Sequence, residues 1–155
     1  MILVTGGTGY IGSHTVVELQ GTGEEVLIID DLSNSSIEVL DKIESISGKR
    51  PNFIELDMID KKGLDKVFSD HPDISGVIHF AAKKAVGESV EHPLMYYRTN
   101  LMSLINLLEV MKTYQVKNLV FSSSCSVYGE PDETQVTEET PIKVANSPYG
   151  NTKQI

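Results

Sequence analysis

A chain of 155 residues with 40% hydrophobic residues is long enough for one domain with a substantial core, and its composition excludes a disordered segment. The formal net charge of −9 argues against nucleic-acid and anionic-membrane partners. No apolar run has the length of a membrane span, and the chain starts on a strand pattern without room for a signal peptide. The lone Cys125 cannot form an internal disulfide. Together these features predict a reducing, cytoplasmic location.

Short apolar runs alternate along the chain with helical patterns. The predicted strands are Met1–Thr5, Glu25–Asp30, Asn52–Leu56, Gly76–Phe80 and Asn118–Ser123. The predicted helices are Ile11–Gln20, Ser36–Ile46, Lys62–Asp70 and Leu94–Tyr114. This alternation predicts an α/β fold, a Rossmann-type doubly wound parallel sheet with helices on both faces. A long acidic segment, Gly129–Ser147, follows and is typical of a functional or disordered loop.

The first strand runs into the first helix through a glycine-rich turn. Gly6, Gly9 and Gly12 fit G-x-x-G-x-x-G, whereas Gly7, Gly9 and Gly12 fit G-x-G-x-x-G. Such glycines permit positive φ, close approach of a diphosphate and tight packing of the helix on the strand. The free N–H groups of the helix N-terminus would face phosphate. The turn predicts dinucleotide binding, with a purely structural strand–helix turn as the alternative.

An acidic pair follows the second strand, about 20 residues beyond the glycines. The carboxylate of Asp30 or Asp31 would accept the hydroxyls of an adenosine ribose and repel a 2′-phosphate. No Lys or Arg occurs between Val26 and Asp41 to bind that phosphate. The pattern therefore favours NAD over NADP, the alternative being an ordinary solvated acid after a strand.

The segment after the long loop has the features of a helix start, with Ser147 as N-cap and Pro148 at the first helical position. Tyr149 and Lys153 would then lie one turn apart on one face. An ammonium beside a phenol favours the phenolate, which predicts Tyr149 as a general base toward a substrate hydroxyl. The serine run Ser122–Ser124 at the fifth strand could place a hydroxyl beside it, or could simply cap the strand end.

The four histidines show no metal-ligand spacing, so no metal site is predicted. His79, within an apolar run, is interpreted as a hydrogen-bonded residue at a strand end. The glycine turn, the acidic pair and the serine run each follow a strand, and ligands of open α/β sheets bind at that edge.

Together the glycine turn, His79-Phe80-Ala81-Ala82, the serine run and Tyr149-x-x-x-Lys153 resemble the extended short-chain dehydrogenase/reductase superfamily. Within it the chain is similar to the UDP-glucose 4-epimerase family. Four strings carry this similarity: residues 6–15 (GGTGYIGSHT), 31–35 (DLSNS), 84–89 (KAVGES) and 147–150 (SPYG).

The resemblance implies that NAD is the cofactor and assigns residues to it. The cofactor-binding residues it implies are Gly6, Gly9, Tyr10, Ile11, Gly12, Asp30, Asp31, Leu32, Ser33, Asn34, Ser35, Asp57, Met58, Phe80, Ala81, Ala82, Lys83, Lys84, Asn100, Ser122, Tyr149 and Lys153. It also implies that Lys84, Ser124 and Tyr149 engage the substrate, that Tyr149, Lys153 and Ser124 are catalytic, and that Lys153 bonds the nicotinamide ribose.

The implied activity is the interconversion of UDP-glucose and UDP-galactose through NAD-dependent oxidation at sugar C4. Family members are about twice as long, so residues 1–155 are expected to be an incomplete NAD-binding domain without the C-terminal UDP-sugar domain, inactive alone and a homodimer at full length. Three family features differ: Ala82 replaces a usual glycine, Thr99 a frequent second asparagine, and Ser103-Leu104 a usual Gly-Thr pair.

Two other functions stay open at this stage, a UDP-glucuronate 4-epimerase and a non-catalytic NAD-binding module. A 4,6-dehydratase is disfavoured because Ser124 is followed by Cys125 and Ser126, without the acid that elimination requires.

Overall fold

The structure, a computed structural model, describes residues 1–132 and 135–155. Glu133 and Thr134, within the predicted loop 129–147, lie outside the described residues. The strands are β1 (Ile2–Thr5), β2 (Val26–Asp30), β3 (Asn52–Glu55), β4 (Gly76–His79) and β5 (Asn118–Phe121). The helices are α1 (Tyr10–Gly21), α2 (Val39–Ser47), α3 (Lys61–Asp70), α4 (Val86–Glu91), α5 (Pro93–Thr113) and α6 (Pro148–Gln154), and Cys125–Tyr128 forms a 3-10 turn.

The five strands form one parallel sheet in the order β3-β2-β1-β4-β5. β1 lies at the centre, with Leu3 opposite Leu27 of β2 and opposite Val77 of β4. Each connection between successive strands contains a helix, and parallel pairing requires crossover connections of this kind. The predicted α/β, Rossmann-like parallel sheet is confirmed, and its strand order is that of a dinucleotide-binding half.

The chain divides into two compact units, and the first contains residues 1–81 and 103–122. Its sheet carries an apolar cluster on each face, because successive side chains of a strand point to opposite sides. Leu3 belongs to the cluster that includes Phe68 of α3 and Leu107 of α5. Val4 belongs to the cluster that includes Val16 of α1 and Leu40 of α2. Both faces are therefore covered, and the strands read as continuous apolar runs for that reason.

The second unit contains residues 82–102 and 123–155. It comprises α4, the first half of α5, the 3-10 turn and α6. Within it, α6 packs against both α4 and the 3-10 turn. This unit contains the predicted pair Tyr149 and Lys153, and also Ser124.

Two helix predictions differ from the structure. α4 was not predicted, since six residues are too few to show a helical period. α2 begins at Val39 rather than Ser36, because the N–H groups of Val39 and Leu40 bond to the carbonyls of Ser36 and Ile37 in a preceding turn. In the part of the chain that the structure describes, no helix is long and apolar enough to cross a membrane.

Candidate cofactor and active-site residues

The glycine turn between β1 and α1 has no room for side chains. Gly6 has φ of 69°, and a Cβ there would lie 2.7 Å from the backbone nitrogen of Ala81. A Cβ on Gly12 would lie 2.2 Å from the carbonyl oxygen of Gly6. The first glycine is thus required by its backbone conformation, and the last by the close packing of α1 on the turn.

The N-terminus of α1 is arranged to receive an anion. Gly9 is its N-cap and supplies no side-chain hydrogen bond, and the first turn contains no acidic residue. The N–H groups of a first helical turn have no intrahelical acceptor, and the helix dipole places positive potential there. Tyr10 and Ile11 are 77% and 60% exposed, so both side chains are accessible to a ligand. This end of the helix fits a phosphate group flanked by an apolar ligand surface.

Asp30 ends β2, and the protein itself holds its carboxylate in place. Oδ2 accepts the backbone N–H of Thr8 at 3.2 Å, while Oδ1 accepts the N–H of Leu32 at 3.0 Å and the hydroxyl of Ser35 at 3.1 Å. The hydroxyls of Thr8 and Ser35 are 2.8 Å apart. The carboxylate is therefore fixed beside the glycine turn, within the first unit.

Residues 31–35 form a tight turn after β2. Asp31 accepts the backbone N–H of Ser33 at 2.9 Å and its hydroxyl at 2.6 Å. Leu32 has φ of 56°, a left-handed conformation that a leucine adopts only when its surroundings impose it. The hydrogen bond from Leu32 to Asp30 supplies that constraint. Strain of this kind is concentrated at functional sites.

Hydrogen bonds also fix the residues that follow β3 and end β4 in the first unit. Asp57 is exposed and accepts the N–H of Ile59 at 2.9 Å, whereas Met58 is buried. Buried Asn106 of α5 donates to the carbonyls of Met58 and Ile59 at 3.1 and 2.9 Å. His79 contacts the hydroxyl of Thr5 through Nδ1 at 2.7 Å, so it is hydrogen-bonded, as the sequence predicted.

In the second unit, α6 begins as predicted. Pro148 is its first residue, and the hydroxyl of Ser147 accepts the N–H of Gly150 at 3.1 Å. Tyr149 and Lys153 are both within the helix, four residues apart and therefore on one face. Both side chains are half-buried. The helix thus presents a phenol and an ammonium together.

The segment that follows the serine run is attached to the same helix. Ser124 caps the 3-10 turn and accepts the backbone N–H of Ser126 at 3.2 Å. A Cβ on Gly150 would lie 3.1 Å from the carbonyl oxygen of Ser126. Gln154 donates to the carbonyl of Val127 at 2.6 Å. These contacts, one near each end of α6, hold the Ser124 segment directly against that helix.

Lys153 lies in a partly desolvated position. Burial lowers the pKa of its ammonium from 10.5 to about 8. Desolvation disfavours the charged form of the side chain. The pKa of Lys153 therefore lies closer to neutral pH than that of an ordinary lysine. Groups whose pKa is shifted by burial occur at functional sites more often than on ordinary surfaces.

The sequence did not predict the hydrogen bonds made in this unit by Asn100, Thr152 and Tyr96. The side chain of Asn100 accepts the N–H of Lys83 at 2.9 Å, donates to the carbonyl of Lys83 at 2.9 Å and donates to the hydroxyl of Thr152 at 3.0 Å. Thr152 in turn donates to the carbonyl of Tyr149 at 2.7 Å. Tyr96, fully buried, contacts the backbone of Ala85. The only sequence signal was polar residues within the apolar pattern of α5.

Comparison with known proteins gives one family and a set of consistent relatives. The family model described as GDP-mannose 4,6 dehydratase matches residues 3–155. The chain is 52% identical over 152 residues to a UDP-glucose 4-epimerase of Bacillus subtilis (strain 168), and 50% identical to one of Dictyostelium discoideum. Each alignment covers 98% of this chain and 44% of the relative. The chain thus spans less than half the length of the curated relatives it matches.

Solved structures agree with the described fold. A UDP-glucose 4-epimerase from Bifidobacterium longum, in complex with NAD+ and UDP, is 46% identical with a TM-score of 0.95. A Stenotrophomonas maltophila enzyme of the same name, with bound NAD and formylated UDP-arabinopyranose, is 45% identical with a TM-score of 0.93. Both comparisons cover 98% of this chain and 45% of the other.

Proposed function

This chain belongs to the family described as GDP-mannose 4,6 dehydratase, and we propose that the full-length protein is an NAD-dependent epimerase that interconverts UDP-glucose and UDP-galactose. The observation that carries the proposal is the phenol–ammonium pair of Tyr149 and Lys153 on α6, held against the Ser124 segment. The names of relatives at about half identity support the choice of a 4-epimerase.

The first unit fits a dinucleotide. Gly6 and Gly12 leave room for a diphosphate, and the N-terminus of α1, which has no side-chain cap, offers it free N–H groups. The fixed carboxylate of Asp30 matches a ribose diol. We assign Tyr10 and Ile11 to the diphosphate and adenosine portion as well. Several of the similar solved structures contain NAD, which supports the same cofactor here.

The chemistry of the proposed reaction divides between cofactor and protein. When bound, NAD+ would supply reversible hydride transfer at sugar C4, with no net change in the cofactor over one turnover. Tyr149 takes the proton of the sugar 4-hydroxyl and later returns it, as a general base and acid. Ser124 hydrogen-bonds the same sugar oxygen. Lys153, one turn further along the same face of α6, would bond the ribose of the nicotinamide.

The family description names a dehydratase, but the residues after the serine run favour epimerisation. Elimination of water across C5 and C6 of a hexose needs an acid and a base near those carbons. Ser124 is followed by Cys125 and Ser126, neither of which is a carboxylic acid. A 4-epimerase needs only the proton transfer at the C4 oxygen, for which Tyr149 suffices.

A turnover assay on the full-length protein tests the proposal. Tyr149→Phe keeps the ring and removes the proton-transferring hydroxyl, so UDP-galactose turnover should fall by about 10²–10⁴-fold. Tyr114→Phe, a matched change on a ring that packs on Phe68 in the first unit, should leave turnover unchanged. Retention of most activity by Tyr149→Phe would exclude Tyr149 as the base.

Substrate comparison tests the sugar. Among the similar solved structures, one is named a UDP-Glc/GlcNAc 4-epimerase and another a UDP-N-acetylglucosamine 4-epimerase. The epimerisation rate should be higher with UDP-galactose than with UDP-N-acetylglucosamine or UDP-glucuronate. Preference for the uronate would replace the proposal by a UDP-glucuronate 4-epimerase, and no change in nicotinamide absorbance with any sugar would favour a non-catalytic NAD-binding module.

A further inference from the structure

The 3-10 turn Cys125–Tyr128 determines where the Ser124 hydroxyl can donate. The Oγ of Ser124 accepts the backbone N–H of Ser126 at 3.2 Å and the hydroxyl of Ser126 at 2.8 Å. A serine hydroxyl has two acceptor positions and one proton. Because the turn uses both acceptor positions, the proton of Ser124 is the part of the group that is left for a substrate oxygen. A movement of the turn would therefore redirect this hydroxyl.

Two residues of α6 hold the turn in place. A Cβ on Gly150 would lie 3.1 Å from the carbonyl oxygen of Ser126, and Gln154 donates through Nε2 to the carbonyl of Val127 at 2.6 Å. Gly150 and Gln154 are four residues apart, so they share one face of α6. Successive residues of an α-helix are rotated by about 100° around its axis, so this face adjoins the one that carries the phenol and the ammonium.

The side-chain amide of Gln154 is fixed by its partners. Nε2 also donates to the carbonyl of Lys143 at 2.7 Å, and Oε1 accepts from the side-chain amide of Asn151 at 3.3 Å. Asn151 in turn accepts the hydroxyl of Tyr97 at 2.8 Å. Two carbonyls face Nε2 and one N–H faces Oε1, so the amide has one favourable orientation. Gln154 thus joins the turn at Val127 to the end of the following loop at Lys143.

We propose that Gln154 is a positioning residue for the reaction, which ties the 3-10 turn to α6 and so keeps the Ser124 hydroxyl directed at the oxygen that Tyr149 deprotonates. The inference rests on the proposed function. Gly150 offers the turn a close surface but no side-chain hydrogen bond, so the attachment through a side chain falls to Gln154. Displacement of a reacting group by about 1 Å can cost about 10²-fold in rate, so a small shift of the turn is enough to be measured.

Gln154→Met is the informative substitution, and the first unit supplies its control. Methionine keeps the length of the side chain, removes both donors and adds no charge beside Lys153. Gln20 lies on α1 and accepts the hydroxyl of Ser47 at 2.8 Å. Gln20→Met therefore also removes a glutamine hydrogen bond, but in the unit that does not contain Ser124.

A double-mutant cycle on the full-length protein tests the inference, with UDP-galactose turnover as the readout. Gln154→Met should lower kcat by about 3–10-fold, because the turn keeps its contact with Gly150 but loses its hydrogen bonds to α6. In a Ser124→Ala background the same change should lower kcat by less than about twofold, since the hydroxyl that it positions is absent. The KM for UDP-galactose should change little, because Ser124 contacts the reacting oxygen. Gln20→Met should change none of these quantities.

Amide hydrogen exchange provides a second readout that does not depend on activity. The N–H groups of Val127 and Gly129 bond to the carbonyls of Ser124 and Ser126 at 3.1 and 3.3 Å. Gln154→Met should speed the exchange of these two amides by about 3–10-fold, measured by mass spectrometry on the full-length protein, because the turn opens more often once it is released from α6. Gln20→Met should leave their exchange unchanged.

Three results would overturn the inference: an equal loss of kcat in both backgrounds, no loss with Ser124 present, or unchanged exchange of the two amides. Failure of the unaltered protein to convert UDP-galactose would instead remove the proposed function, and the exchange rates would then decide by themselves whether Gln154 holds the turn. If urea unfolding shows that Gln154→Met does not fold, Tyr97→Phe replaces it, since it keeps the ring and removes the hydroxyl that orients Asn151. That variant should lower kcat by about 2–3-fold with Ser124 present and not in the Ser124→Ala background, and any other result contradicts the proposal.

Discussion

Gly12 and Gly21 occupy the two ends of α1, and replacing each by alanine should have opposite effects on stability. A Cβ on Gly12 would meet the Gly6 carbonyl oxygen at 2.2 Å and the Gly7 Cα at 2.9 Å. Both are backbone atoms, so the turn and the helix must separate. Overpacking of this kind costs about 1–3 kcal/mol or more, against a helix-propensity gain of at most ~1 kcal/mol. We expect Gly12→Ala to lower the free energy of unfolding by about 1–2 kcal/mol.

Gly21 provides the matched control on the same helix. Apart from its chain neighbours and the nearby backbone of α1, no described atom lies within 4 Å of a Cβ at Gly21, and its φ is not positive. Gly21→Ala should therefore raise the free energy of unfolding by ~0.4–1 kcal/mol through reduced freedom of the unfolded chain. Urea unfolding of the full-length protein with both variants measures the difference, provided that the slope with denaturant is unchanged. Calorimetry with NAD should also show weaker binding for Gly12→Ala alone. Equal stability of the two variants would refute the close-packing argument.

Three further predictions concern the carboxylate, the buried lysine and the assembly. Asp30→Ala should weaken NAD binding by ~1–3 kcal/mol in calorimetry, because two ribose hydroxyls lose their acceptor; equal or tighter binding of NADP by the unaltered protein would contradict the assignment. The pKa of Lys153 is about 8 in the folded protein against 10.5 in the unfolded chain, so between these pH values the unfolded state binds more protons and stability rises with pH. The stability advantage of Lys153→Met, measured by urea unfolding, should thus be larger at pH 7 than at pH 10, and a reversed order would exclude the desolvation argument. The full-length protein should be a homodimer by sedimentation, disrupted by Ile105→Glu, because Ile105 and Leu108 are exposed apolar side chains one turn apart on α5; a monomeric unaltered protein would exclude that interface.

Local sequence signals predicted those parts of the protein whose structure is set locally. β1 and its glycine turn were predicted because apolar β-branched residues and glycines constrain nearby φ and ψ whatever lies elsewhere. The start of α6 was predicted for the same reason, since Ser147 and Pro148 satisfy a cap and a first-turn position by themselves.

The contacts of Asn100 and Tyr96 could not be predicted in this way. Asn100 bonds to residues 17 and 52 positions away, and no local period encodes such partners. The sequence resemblance assigned Asn100 to the cofactor. In the structure, the amide of Asn100 bonds to the Lys83 backbone and the Thr152 hydroxyl. The cofactor role of Asn100 stays a prediction.

The central position of β1 has a consequence for how the chain folds during synthesis. β1 is made before the other four strands of the described sheet, yet one of its two partners, β4, pairs with it across a sequence separation of 74 residues. At about 5–20 residues per second, a ribosome needs roughly 4–15 s to supply that partner. During this interval β1 can pair only with β2, and its other edge presents unpaired N–H and C=O groups to any strand nearby. We therefore expect nascent chains that pause before β4 to aggregate more readily than chains that have completed the sheet.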